Sequence, residues 1–194
     1  GLMYLGREAI GPNGVPVWAM PRMRRFLRDH GPWAQLCRLG NIELRAMEDM
    51  ARIPLTKRLF LRAVLVPHRG EYSETVGVII EGPSKKLLYL PDIDRWEPTR
   101  PSIEALLEDV DHALLDGTFF DASEVPNRER SEIPHPLVRD SLERFGRLSP
   151  ERRSRIFFCH FNHSNPLLQP DSPARKMVEE AGMSVALTGM SFGL

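Results

Sequence analysis

Several apolar runs of this chain end in side chains able to hold a metal or move a proton. AVLVPH ends in His68, and LLYLPDID ends in Asp92 and Asp94. HALLDGT carries Asp116, and RIFFCH ends in His160, with Asn162 and His163 just beyond. A buried strand that delivers a His or Asp at its C-terminal edge holds that group rigidly. Several strands doing so at one edge can surround one site. Two histidines and an aspartate form an ordinary ligand set for zinc. Each residue also has a structural reading. His68 and Asp116 can brace loops, Asp92 and Asp94 can bond local backbone after Pro91, and His160 can be a satisfied core histidine. His163 lies past the strand, where side-chain direction is not set by the pleat. His30 suits a helix C-terminus, and His112 only starts a strand.

The elements that must position these groups alternate along the chain. Residues 14–20 read as a short strand, and residues 21–31 as a helix with Pro21 in its first turn and Gly31 past its end. Strands follow at 41–47 and 58–68. Residues 74–92 read as a hairpin turning at Gly-Pro-Ser-Lys. A helix at 101–110 has Ser102 as its cap, and a strand covers 112–120. Residues 135–148 form an amphipathic helix, 155–160 a strand, 172–182 a helix and 183–194 a final strand. Such alternation predicts sheets covered by helices, an α/β or α+β layered fold in a single domain over 1–194. Ten of the 17 prolines fall after residue 90, in connections or at the edges of elements, which makes those loops stiff. Loops of that kind carry binding groups over a rigid sheet.

The chain opens GLMYLGREA, with Leu2, Leu5 and Ala9 on one face of an amphipathic helix that no side chain caps. This reads as a chain whose upstream part is missing. With 194 residues it can bury one proper core. Its net charge is zero, and basic residues form no stripe with interleaved aromatics, so nucleic-acid binding has no electrostatic support. No apolar run approaches the ~20 residues of a membrane helix. Cys37 and Cys159 suggest no disulfide framework. Compartment is not legible in the chain, with cytoplasm as the default.

With those strand ends in order, the chain resembles the metallo-β-lactamase superfamily, in the branch of the pyrroloquinoline quinone biosynthesis protein B-like proteins. VPHRGEYSETVGVII is similar to the segment supplying the family's third metal motif, which implies His68 as a ligand. LLYLPDID is similar to the strand carrying the metal-bridging carboxylate, which implies Asp92, with Asp94 as substitute. ALLDGTFF followed by EIPHP resembles a signature of the branch and implies that Asp116 and His135 lie near the cleft. FFCHFNHSNPLL resembles the last metal motif, which implies His160. The family's His-x-His-x-Asp-His loop is absent, and Gly1 reads as following it directly. The resemblance therefore implies the C-terminal portion of an αββα sandwich.

What the resemblance implies for function is metal-dependent hydrolysis with one or two zinc ions, or Fe or Mn in their place. A bound metal lowers the pKa of water to about 7, and the resulting hydroxide attacks an ester, lactone, amide or phosphodiester. His135 is the candidate proton donor, with Asp116 as its catalytic partner. Asn162 and His163, at the rim, would support the ligands or serve as further metal ligands themselves. Glu71 and Tyr72, just past His68, would contact a small-molecule substrate. Two rivals stand beside this expectation: metal-dependent oxidation in cofactor biosynthesis, and a non-catalytic binding protein on the same fold. No nucleic acid or membrane partner is expected, and a homodimer is left open.

Overall fold

The computed structural model describes residues 1–127 and 129–194. Their contacts separate into two compact units: residues 1–51 with 69–75, and residues 52–68 with 76–194.

In the first unit β1 (Val15–Ala19) is followed by α1 (Pro21–Asp29), α2 (Trp33–Arg38) and β2 (Ile42–Ala46). β1 and β2 pair in parallel, from Val15 opposite Ile42 to Ala19 opposite Ala46. The helix expected at the start shrinks to one 3-10 turn, Leu2–Leu5. Gly1 offers it no side-chain cap and Gly6 follows it, so nothing offsets the cost of nucleating a longer helix. Helix α1 also lacks a side-chain cap of its own at Met20. Its free amides are satisfied from afar instead: Arg22 N–H and Met23 N–H donate to the Glu74 carboxylate at 3.1 and 3.3 Å. Burial pushes the Glu74 carboxyl up, but backbone amides outweigh it and hold the group below its usual range. The Arg22 guanidinium donates to the carbonyls of Gly70 and Glu71, which fastens the 69–75 loop to α1. His30 ends α1, stacked on Phe26 at 4.7 Å.

The second unit holds a seven-stranded sheet in chain order. Its strands are β3 (Arg52–Pro54), β4 (Phe60–Val66), β5 (Thr75–Glu81), β6 (Lys86–Leu90), β7 (His112–Asp116), β8 (Ile156–Cys159) and β9 (Ser184–Val185). β3 and β4 are antiparallel, as is the β5–β6 hairpin, closed by Gly82 N–H to Lys85 O. From β6 onward the pairing is parallel, through β7 and β8 to β9. Parallel neighbours need crossovers. Helix α3 (Ile103–Asp109) links β6 to β7, α4 (Val138–Phe145) and α5 (Pro150–Arg153) lie between β7 and β8, and α6 (Pro173–Glu180) links β8 to β9. Ser102 caps α3, accepting from Ala105 N–H. Leu88, Leu90, Leu115, Ile156 and Phe158 from the strands, and Ile103, Leu106, Val138, Phe145 and Val178 from the helices, supply the core.

Two strands are shorter than the sequence suggests. The run 112–120 leaves the sheet after Asp116, because the Asp116 carboxylate accepts the Thr118 N–H and turns the chain at Gly117. The last strand keeps only Ser184–Val185, and the chain beyond it turns, with Gly189 at φ 89°. Among the described residues no helix is long and apolar enough to cross a membrane.

Candidate metal centre

One cluster of histidines and aspartates lies wholly within the second unit. They sit where β4, β6, β7 and β8 end. Asp92 and Asp94 follow β6, Asp116 is the last residue of β7, His160 follows β8 and His68 follows β4. The Asp94 N–H donates to Pro67 O at 2.8 Å, which joins the ends of β4 and β6. Ligands of open α/β sheets gather outside the carboxyl ends of the strands, and here that edge is lined by imidazoles and carboxylates.

Asp116 is fully buried and takes donors from three directions. Its Oδ1 accepts from Thr118 N–H at 2.8 Å, and its Oδ2 from Ile93 N–H at 3.1 Å and from His135 Nδ1 at 2.8 Å. His135, in the loop before α4, is thereby aimed through Nδ1, with Nε2 as its other ring nitrogen. Its ring lies 5.7 Å from that of His68, 6.2 Å from that of His160 and edge-on to Phe119 at 5.9 Å. Burial alone would lower its pKa, but the Asp116 hydrogen bond and the charges of Asp116, Asp92 and Asp94 outweigh burial and raise it. The three carboxylates thus make the surroundings of this imidazole favour positive charge.

His68 is held between two carboxylates, with Nδ1 2.8 Å from Asp94 Oδ1 and Nε2 3.1 Å from Asp92 Oδ1. Asp92, Asp116 and His135 offer ligand atoms all within 4.8 Å of one another. Asp92 Oδ1 is the telling atom. It is inaccessible to solvent and accepts no hydrogen bond from any described residue. His68 Nε2 stands 3.1 Å away without a hydrogen bond to it, and His135 Nδ1, at 3.7 Å, is too far to donate. A buried anionic oxygen without a donor is costly, and a cation at this point would satisfy it. The donor set of carboxylates and imidazoles fits zinc, iron or manganese.

His160 is exposed and adopts φ 61°, with Nδ1 3.0 Å from Thr118 Oγ1. Asn162 donates its side-chain amide to Ser164 Oγ, which donates in turn to Glu124. His163 is exposed in the following turn. Asn165 is buried, donates to the carbonyls of Gly117 and Thr118 and caps the 3-10 turn Pro166–Leu168. Glu71 and Tyr72 belong to the first unit, where Tyr72 is exposed and its ring lies 6.2 Å from Phe26. The fold therefore brings His68, Asp92, Asp94, Asp116, His135 and His160 together. Sequence reasoning overlooked Thr118 and Glu124, whose only signal was their place just after a strand that ends in Asp.

A sheet of this topology with a histidine and aspartate cluster at its strand ends defines an α/β protein with a candidate metal centre. The family described as "Beta-lactamase superfamily domain" matches residues 1–161, and the chain belongs to that superfamily. Over 138 residues it is 33% identical to the coenzyme PQQ synthesis protein B of Methylococcus capsulatus, a match covering 66% of this chain and 42% of that protein. The chain thus spans about two-fifths of the length of the curated relatives it matches. The crystal structure of Zn(2+)-bound PqqB from Methylobacterium extorquens shares the fold, with TM-score 0.78 and 21% identity over all of this chain and 68% of that one. A diphosphatase of the PhnP family also shares it, with TM-score 0.57 and 19% identity over 96% of this chain and 60% of that one.

Proposed function

We propose that the protein is a metal-dependent hydrolase of the PqqB-like branch, acting on a small molecule. The observation that carries this reading is the buried, undonated Asp92 Oδ1 between the imidazoles of His68 and His135. Asp92, His68 and His160 would hold one or two zinc ions, with the hydrogen-bonded pair of Asp116 and His135 standing beside them. When bound, the metal supplies a Lewis acid and water acidified to a pKa near ~7. The chain's own residues do the rest. Asp116 orients His135 through Nδ1, so Nε2 is the atom from which a proton passes to a leaving group. Asp94 holds the far nitrogen of His68 and so orients that ring. The carboxylates around His135 favour its protonated form over burial, which suits a group that passes on a proton.

A second reading, metal-dependent oxidation in pyrroloquinoline quinone biosynthesis, draws support from the names of the curated relatives. The same imidazole and carboxylate donors suit iron. Metal content by plasma mass spectrometry separates the two. The hydrolase reading expects zinc, reduced in Asp92→Asn and His160→Ala. Iron as the bound metal favours oxidation, and metal content at background in the wild-type protein refutes both.

A further inference from the structure

Thr118 stands at the meeting point of two of the strand ends. It is nearly buried, with 8% of its surface exposed. Its N–H donates to Asp116 Oδ1 at 2.8 Å, and its carbonyl accepts from Asn162 N–H at 3.0 Å and from Asn165 Nδ2 at 3.2 Å. Its hydroxyl lies 3.0 Å from His160 Nδ1. One residue therefore touches the carboxylate at the end of β7, the loop beyond β8 and the imidazole between them. His160 needs such a partner. The residue is exposed, so close packing holds it little, and its backbone takes a positive φ that is uncommon for non-glycine residues.

We propose that Thr118 is a positioning residue for His160: its hydroxyl oxygen accepts the Nδ1 proton, fixes that tautomer and leaves the Nε2 lone pair for a metal. The role rests on the metal-site reading above, and it assigns Thr118 the part that carbonyls and carboxylates play behind ligating histidines elsewhere. Asn165 and the Glu124–Ser164–Asn162 chain keep the two loops in register, so the oxygen stays where the imidazole needs it. The Glu124 carboxylate also accepts the backbone N–H groups of Phe120 and Asp121, which anchors the segment leading away from Thr118.

The test pairs Thr118→Val, which keeps the shape and the backbone bonds but removes the hydroxyl, with Thr118→Ser, which restores it. The first readout is the His160 tautomer in the metal-free full chain, from imidazole ¹⁵N shifts near pH ~8, where an ordinary imidazole is neutral. The wild-type and serine proteins should show Nδ1–H, and the valine protein Nε2–H. A wild-type His160 carrying its proton on Nε2 overturns the proposal, whether or not the valine variant folds. The second readout is zinc affinity by chelator competition: Thr118→Val should weaken it about 10–100-fold and Thr118→Ser should stay within about 3-fold of wild type. If the wild-type protein takes up zinc and the valine variant binds it equally well, the Thr118 role alone fails. A wild-type protein that takes up no zinc refutes the metal-site reading, and the role falls with it.

Discussion

Asp92 and Asp116 look alike in sequence, each an aspartate at the end of an apolar run, yet replacing each by asparagine should have opposite consequences for the metal-free fold. The Asp116 carboxylate satisfies three donors inside the protein: Ile93 N–H and His135 on one oxygen, Thr118 N–H on the other. An asparagine has a single oxygen. Turned toward Thr118, it aims its amide at Ile93 and His135; turned the other way, it aims it at Thr118. Either way at least one buried backbone donor loses its acceptor, at about 1–3 kcal/mol, and the bond between His135 and a charged oxygen, about 1.5–3 kcal/mol, is lost or weakened. Asp116→Asn should therefore cost about 3–5 kcal/mol, which for a chain of this size lowers Tm by roughly 10 °C. Asp92 Oδ1 accepts nothing. Asp92→Asn removes one negative charge from an anionic cluster and should leave stability within about 0.5 kcal/mol of wild type, or raise it. Urea unfolding in the presence of a chelator, followed by far-UV circular dichroism, reads both numbers. An Asp116→Asn protein within about 1 kcal/mol of wild type, or an Asp92→Asn protein destabilised as much as Asp116→Asn, would refute this division of labour between the two aspartates.

Other outcomes follow from neighbouring contacts. A Cβ on Gly117 would lie 2.9 Å from the Cys159 carbonyl, the acceptor of the Gly117 N–H, and 2.8 Å from the Phe161 ring. Gly117→Ala should therefore lower stability by about 1–3 kcal/mol and weaken metal uptake, both read on the same samples. Glu81 is buried between Arg52 and Arg62 on β3 and β4; burial raises its pKa, but the two guanidinium partners outweigh that and depress it. Because a depressed carboxyl stabilises above its unfolded pKa, Glu81→Gln should cost about 1–3 kcal/mol at neutral pH, less than a fully buried pair because Arg52 is exposed. That gap should close as pH falls below about 4.3 and through the folded value, in denaturant titrations at several pH values. Burial, with the charge of Asp116 adding to it, pushes the Cys159 thiol up to about 12. At pH ~8 its thiolate fraction is then on the order of 10⁻⁴, and peptide mapping after iodoacetamide treatment should find Cys159 modified only in unfolded protein.

Much of this molecule was legible in its residues, for a definite reason. Alternating apolar residues mark β4 and β5, a Gly-Pro-Ser-Lys turn closes the hairpin, Ser102 caps α3 and Pro21 opens α1, and each of these is a local signal that short-range sterics and hydrogen bonds must obey. The histidines and aspartates at strand ends were legible too, because a strand's last residue projects from the sheet edge wherever the strand lies. Elements that depend on distant partners were not. Helix α2 has no side-chain cap at Pro32, β3 is three residues long with a proline, and the final strand stops at Val185; tertiary pairing decides such elements.

The pairings inside the site belong to the same class. Nothing local joins His135 to Asp116 across 19 residues, His68 to Asp94 across 26 or His160 to Thr118 across 42. The sequence by itself determined which chemical groups stand at the strand ends, since that follows from hydrophobic periodicity. Only the tertiary structure decided which aspartate is saturated by hydrogen bonds and which keeps an undonated oxygen, because that depends on the three-dimensional meeting of loops whose residues lie far apart along the chain.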